Sequence, residues 1–236
     1  MSDRETEADG GSGRSCDWPK AVVWDLDGTL VDSAPDLAAA LNQLLREQGL
    51  PGHGVAQVET MIGAGVAKLI ERGFVAAGAS IAPTTLDLLL PRFLTLYGAG
   101  ATEETRLFPA AEAVLRRFAE AGVRQGLCTN KPRALSLQIL AHFGLAELFA
   151  VVVGGDSTAA RKPDPLPLRA TLDGLRVTAA DAVMVGDSRA DRDMARALGL
   201  PVVLVSFGYS DTPAVELGAD AVIESLSDLP DVLSRL

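Results

Sequence analysis

The chain has 236 residues, 31 acidic and 21 basic, for a formal net charge of −10; 48% are hydrophobic, 22% charged and 5% aromatic. This balance is too apolar for a disordered chain, and the length is ample for a buried core. It is also acidic enough to argue against nucleic acid or an anionic membrane surface as partner. The best candidate for a membrane span, residues 86–96, is interrupted by Asp87, Pro91 and Arg92, and spanning needs roughly 20 apolar residues.

Residues 1–15 are polar and rich in Gly and Ser. Glu5, Glu7 and Asp9 with no apolar run after Arg4 fit neither a secretory signal nor a transit peptide. Residues 1–19 are therefore expected to form a mobile tail, and the cytoplasm is the expected compartment. Cys16 and Cys128 make neither a disulfide framework nor a metal-binding cluster.

Residues 21–24 read as the first strand. A helix follows from residues 33–36 to near Gly49, with Ser33 as cap, Pro35 in the first turn, Asp36 at the positive end and Gly49 as the stop. Residues 37–48, 55–61, 66–77 and 84–98 are all helical in pattern, with no convincing strand among them. Strand-like runs then return at residues 126–128, 151–153, 182–185 and 202–205, separated by helical patterns at 110–121, 133–143, 165–174 and 190–198. A short run at 219–223 adds at the edge. Continuous apolar strands alternating with helices mean a parallel sheet covered on both faces. The expected fold class is α/β, a doubly wound, Rossmann-like parallel sheet from residues 20–35 and 101–236. Residues 36–100 form an inserted small all-α cap domain.

The chemistry-bearing residues fall where these strands end. In Asp25-Leu26-Asp27-Gly28-Thr29, Asp25 and Asp27 are two apart on an extended chain and face the same side. Two converging carboxylates call for a hard cation such as Mg²⁺ between them; alone, the segment reads equally as a solvated Asp-Gly turn. Thr129-Asn130-Lys131-Pro132 offers a hydroxyl and free N–H groups at a helix start, a phosphate cradle or a simple cap. Lys162-Pro163 is a basic residue in a rigid loop, which by itself is surface punctuation. Gly186-Asp187-Ser188-Arg189-Ala190-Asp191 supplies a second acidic pair that a turn into a helix can fold together. All four pieces should meet on one edge of the sheet, where ligands of open α/β sheets bind.

Together these four pieces resemble the motifs of the haloacid dehalogenase-like hydrolase superfamily, from about Ala21 to the C-terminus. The chain is most similar there to the phosphoglycolate phosphatase family, through residues 32–37, 62–66, 128–132, 153–156 and 206–210. One departure is Ala64, where Asn is expected between Gly63 and Gly65. The resemblance implies a Mg²⁺-dependent phosphatase acting on a small phosphorylated metabolite, foremost 2-phosphoglycolate. It implies Asp25 as nucleophile, Asp27 as acid and then base, and metal ligation by Asp25, the Asp27 carbonyl and Asp187. Thr129 and the Asn130 N–H would hold phosphoryl oxygens, Lys162 would neutralise developing charge, and Asp191 would orient Lys162 or a metal-bound water. Asp27 argues against a haloalkanoate substrate, since the dehalogenases lack a carboxylic acid there.

In the cap, Gly63 and Gly65 are candidates for a substrate loop. Lys68 and Arg72, one helical turn apart, either meet a substrate carboxylate or form a solvated basic face. A sugar-phosphate phosphatase or β-phosphoglucomutase-like phosphomutase is the rival enzyme. A phosphoacceptor switch is the rival of another class, disfavoured by Asp27 and the helical cap. The expected assembly is a monomer or homodimer, with no nucleic-acid or membrane partner. His53, His142, Trp18, Trp24 and Cys128 read as packing or surface residues. A net charge of −10 opposes an anionic substrate, so attraction has to be local, from Mg²⁺, Lys162 and the Lys68 and Arg72 pair.

Overall fold

The computed structural model describes residues 18–236; the tail expected at 1–19 lies almost wholly outside them, as does Cys16. Six parallel strands form the central sheet: β1 (Ala21–Trp24), β4 (Arg124–Cys128), β5 (Val151–Val153), β6 (Ala182–Gly186), β7 (Val202–Val205) and β8 (Ala221–Ile223). Their order is β5-β4-β1-β6-β7-β8. Every anticipated strand is present, β8 lies at the edge as expected, and β1 sits between β4 and β6 in register Val23 to Gly126 and Val23 to Met184.

Because side chains alternate along a strand, β1 feeds two cores. Val22 and Trp24 face one, packed with Leu115, Phe118 and Leu127; Ala21 and Val23 face the other, with Leu168, Met184 and Met194. Helices α5 (Ala111–Glu120), α6 (Arg133–His142), α7 (Leu166–Leu175) and α8 (Arg189–Ala197) cover the two faces, and α9 (Leu229–Leu233) closes the chain. Trp24 is fully buried and its indole N–H donates to Gln125 Oε1 at 3.2 Å. Cys128 is a buried strand residue whose thiol burial pushes up to about 12, which makes it unreactive. Among the described residues, no helix is long and apolar enough to cross a membrane.

Between β1 and α5 the chain makes four helices, α1 (Ala34–Glu47), α2 (Val55–Glu59), α3 (Val66–Ala76) and α4 (Pro83–Gly100). They share a core of their own around Leu41, Leu44, Ile70, Phe93 and Tyr97. Gly73 permits the approach of α3 to α1, since a Cβ there would stand 2.8 Å from the Leu41 methyls. His53 is a packing residue as read, its backbone N–H bonded to Asn42 and its ring to the Gly73 carbonyl. The two crossings into and out of this helical layer pair as a short antiparallel ribbon, β2 (Val31–Asp32) with β3 (Arg106–Leu107). Two-residue strands carry no periodicity, so the sequence reading missed this ribbon.

The start of α1 differs from expectation. Ser33 occupies the cap position but makes no side-chain cap; its hydroxyl donates to Asp27 instead. The Tyr209 hydroxyl takes over, accepting from the Ser33 and Ala34 N–H groups at 2.8 and 3.1 Å. Asp36 is tied to the exit of the helical layer, accepting from the Glu104 and Thr105 N–H groups and the Thr105 hydroxyl at 2.9, 2.8 and 2.6 Å. Gly49 does end the helix, at φ 70°.

Asp36→Ala strands three donors beside a buried group, and unsatisfied buried donors cost about 1–3 kcal/mol each, less what water recovers. The expected result is a loss of about 2–4 kcal/mol in urea unfolding, with an unchanged m-value. A midpoint within error of wild type would remove Asp36 from this role.

Candidate active site

β1 delivers Asp25 at its carboxyl end, and the Asp25 N–H still bonds to the Val185 carbonyl of β6 at 2.9 Å. The chain then turns sharply, with the Leu26 carbonyl accepting from the Thr29, Leu30 and Val31 N–H groups. Gly28 makes the turn possible twice over. Its φ is +81°, and a Cβ would lie 2.4 Å from Asp187 Oδ2, a conformation and a clearance that only glycine meets. β6 delivers Asp187, whose Oδ2 accepts from the Tyr209 N–H at 2.7 Å.

One turn on, Asp191 is fully buried and forms a capping box with Ser188 at the start of α8. A side chain at Gly186 would collide with it, a Cβ there standing 2.4 Å from Asp191 Cγ. The Lys162 ammonium lies between two of these carboxylates, 2.8 Å from Asp25 and 2.7 Å from Asp191.

Carboxylate oxygens of Asp25, Asp187 and Asp191 come within 4.8 Å of one another. Three negative groups against one lysine leave a formal charge of −2. Burial is the main cause raising both Asp25 and Asp187. Asp25 goes to about 6, Lys162 pulling down and Asp191 pushing up. Asp187 goes well above the usual carboxylate range, with Asp191 and Asp25 adding repulsion. Burial alone would lower Lys162, but Asp191 and Asp25 overcome it and hold its ammonium charged. A buried set of oxygen donors with two charges uncompensated is the donor chemistry of a hard divalent cation, so these residues fit a metal site.

Asp27 faces a different group of residues. Its Oδ1 accepts from the Ser33 hydroxyl and from Lys131 Nζ, the latter at 2.8 Å. Lys131 is 4% exposed, and its ammonium also donates to the Tyr97 hydroxyl of α4 while lying 4.5 Å from that ring's centroid. Burial works against the Lys131 charge, but Asp27 and Tyr97 more than compensate and push it up to about 12. Thr129 Oγ1 accepts from the Lys131 N–H at 3.2 Å. The Asn130 side chain braces two loops, donating to the Gly63 and Lys162 carbonyls and accepting from the Lys162 N–H.

A hollow of about 450 Å³, its open mouth included, lies between the sheet edge and the helical layer; Asp25, Asp27, Thr129, Asn130, Lys131 and Tyr97 line it with Gly63 and Gly65. Both glycines have positive φ, which lets the loop before α3 reach the Asn130 side chain. A second hollow, which shares Asp27 and Gly63, contains Lys162, Asp187 and Arg72. Thus the structure brings together all the sequence-derived candidates except Lys68, which lines neither hollow and pairs with Glu71 at 2.7 Å. Arg72 donates to the Met61 carbonyl at 3.0 Å.

Four residues in the site escaped the sequence reading. Lys131 stands directly after Thr129-Asn130, a signal that was available. Ser33 was read as a cap. Tyr97 and Tyr209 are the chain's two tyrosines, and their hydroxyls reach the site from elements distant in sequence, a placement no local pattern encodes.

A family model described as haloacid dehalogenase-like hydrolase matches residues 22–205. The phosphoglycolate phosphatase of Rhodospirillum rubrum is 46% identical over 219 residues, 91% of each chain. That of Caulobacter vibrioides is 42% identical over 209 residues, 89% of this chain and 88% of its own. The solved structure of a predicted phosphoglycolate phosphatase from Haemophilus somnus 129pt matches with a TM-score of 0.85 at 29% identity, over 90% of this chain and 97% of that one.

The raised Asp25 carboxyl has a consequence for stability. A carboxyl whose pKa is higher folded than unfolded stabilises below its unfolded value, and that contribution is lost as pH rises through its folded value; here the window runs from about 4 to 6. Asp25→Asn mimics the protonated form. In EDTA it should be more stable than wild type at pH 7.5, relative to the same comparison at pH 4.5, by about 2 kcal/mol, since part of the effect is already present at pH 4.5. Equal effects at the two pH values in urea unfolding would contradict the assignment.

Proposed function

Since the chain belongs to the haloacid dehalogenase-like hydrolase family, we propose that it is a Mg²⁺-dependent phosphatase of small phosphate monoesters, with 2-phosphoglycolate its substrate. The observation that carries the reaction class is the convergence of Asp25, Asp187, Asp191 and Lys162 at the sheet edge. Asp25 opens into the same hollow as Thr129. The substrate rests on the relatives named phosphoglycolate phosphatase at 42–46% identity.

In this reading Asp25, the Asp27 backbone carbonyl and Asp187 would hold Mg²⁺. When bound, the cation offsets the repulsion between a carboxylate nucleophile and a dianionic phosphoryl group. An Asp25 oxygen attacks phosphorus in line, forming an aspartyl-phosphate as the phosphorus–ester oxygen bond breaks. Asp27 gives its proton to the departing alkoxide, then takes one from the water that cleaves the aspartyl-phosphate, releasing phosphate and restoring Asp25. Asp27 suits both tasks because Ser33 and Lys131 engage Oδ1, which leaves Oδ2 for the leaving group and then water. The Thr129 hydroxyl and the Asn130 N–H hold equatorial oxygens, and Lys162 neutralises charge that builds on them. Asp191, held by Ser188, fixes the Lys162 ammonium.

The substrate is thus a small phosphorylated metabolite, the compartment the cytoplasm, and helices α1 to α4 the cap that encloses the reaction. Gly63 and Gly65 supply the part of that cap nearest the phosphoryl site.

Asp25→Asn should fold, as its unfolding curve will show, while releasing phosphate from 2-phosphoglycolate at least about 10³-fold more slowly. Appreciable turnover in a clean preparation would refute the nucleophile. EDTA should stop the wild-type reaction and Mg²⁺ restore it. At 100 times its Kd, Mg²⁺ should also add about 2.7 kcal/mol to the stability of the metal-free protein at pH 7.5. The gain should be smaller at pH 5, where protons compete for Asp25 and Asp187. Indifference of both turnover and stability to Mg²⁺ would sink the metal site.

A further inference from the structure

We infer that Lys131, steadied by Tyr97 of α4, is the subsite for an anionic group on the leaving alcohol, and so the residue that selects monoesters of 2-hydroxy acids. This rests on the phosphatase reading above and names the chemistry by which the substrate is chosen.

The chain is acidic overall, so a substrate with both a phosphoryl group and a carboxylate needs a local cation for each. Lys162 is committed to Asp25 and Asp191 on the metal side. Of the two cations expected from the helical layer, Lys68 points at Glu71 and Arg72 lines the other hollow. Among the described residues that line the hollow with Asp25 and Thr129, Lys131 is the one cation.

Position supports the same assignment. Asp27 protonates the departing alkoxide, so a group bonded to Asp27 lies on the leaving-group side. Lys131 Nζ is 2.8 Å from Asp27 Oδ1. In 2-phosphoglycolate the carboxylate is on the carbon that bears the ester oxygen, so it must lie close to whatever neighbours the acid. An ammonium has three N–H donors. Asp27 and Tyr97 take two of the three on Lys131, which leaves one for a ligand. The Tyr97 hydroxyl accepts from the ammonium and its ring centroid lies 4.5 Å away, so the ammonium is placed before substrate arrives. Lys131 thus binds the leaving group and positions Asp27, while Tyr97 positions Lys131.

The test compares 2-phosphoglycolate with 2-hydroxyethyl phosphate, in which a neutral CH₂OH replaces the carboxylate. Wild type should favour 2-phosphoglycolate in kcat/KM. Lys131→Met should slow both esters by disturbing Asp27, but it should lower the ratio between them by a further 10- to 100-fold, the range of one charge-assisted hydrogen bond. Much of that extra loss should fall on the KM for 2-phosphoglycolate. Tyr97→Phe keeps the ring and the packing, so it is the variant to read should Lys131→Met fail to fold. It should lower the same ratio by a smaller factor.

An unchanged ratio in either folded variant, with both esters slowed alike, would overturn the inference and leave Lys131 as a brace for Asp27 alone. A wild type that hydrolyses both esters without preference would overturn it too, while leaving the phosphatase intact. A wild type that hydrolyses neither would overturn the phosphatase reading itself.

Discussion

Buried negative charge is the constraint around which this structure is arranged. Asp25, Asp187 and Asp191 meet at the edge of the sheet, and among the described residues Lys162 is the one ammonium paired with them. Removing carboxylates from water is costly unless they are paired, and a deficit of two charges does not resolve itself within the cluster. The two carboxyls that resist ionisation most, Asp25 and Asp187, are those a divalent cation would restore to the charged state. A cluster that strains the metal-free protein in this way is one that a hard divalent cation would stabilise.

Such a cluster needs a scaffold that brings separate strand ends together without side chains in the way. A parallel sheet buried on both faces does this, because each strand can be continuously apolar and keep its polar residues for the turn beyond its carboxyl end. β1 is the clearest case, with four buried apolar residues followed at once by Asp25. Gly28 and Gly186 supply the clearance, and Gly208 does the same beneath Asp187, where a Cβ would stand 2.2 Å from the Asp187 Cβ. These glycines serve the packing density of the charged groups more than the flexibility of the chain.

The helical layer is joined to this edge through polar contacts at points that matter for chemistry. Tyr209 donates its N–H to Asp187 and caps the start of α1 with its hydroxyl. Asn130 reaches Gly63 while holding the Lys162 loop. Lys131 spans from Asp27 to Tyr97. Each of these residues touches a group beside the reacting atoms at one end and the helical layer at the other. A movement of the layer would therefore be felt at Asp27, at the Lys162 loop and at Asp187 together. A formal charge of −10 makes such local arrangement necessary, because the field of the whole chain repels the anions it has to bind.

Much of this was legible in the residues alone. Short apolar runs located every strand of the main sheet; three of the four motifs follow directly on β1, β4 and β6, and Lys162 lies in the loop after β5. That information is local: a strand's period and a helix's period are written within a few neighbouring residues. The sequence by itself therefore determined the class of fold and the edge at which Asp25, Asp27, Lys162 and Asp187 gather. Tertiary structure alone decided which side chains meet. The Tyr209 hydroxyl caps a helix 176 positions earlier, and Lys131 finds Asp27 across 104 positions and Tyr97 across 34. It also turned Ser33 from a cap into a partner of Asp27 and placed Lys68 away from both hollows. The physical reason is that a side chain takes the partner that packing brings within about 3 Å, and no periodicity along the chain records that distance.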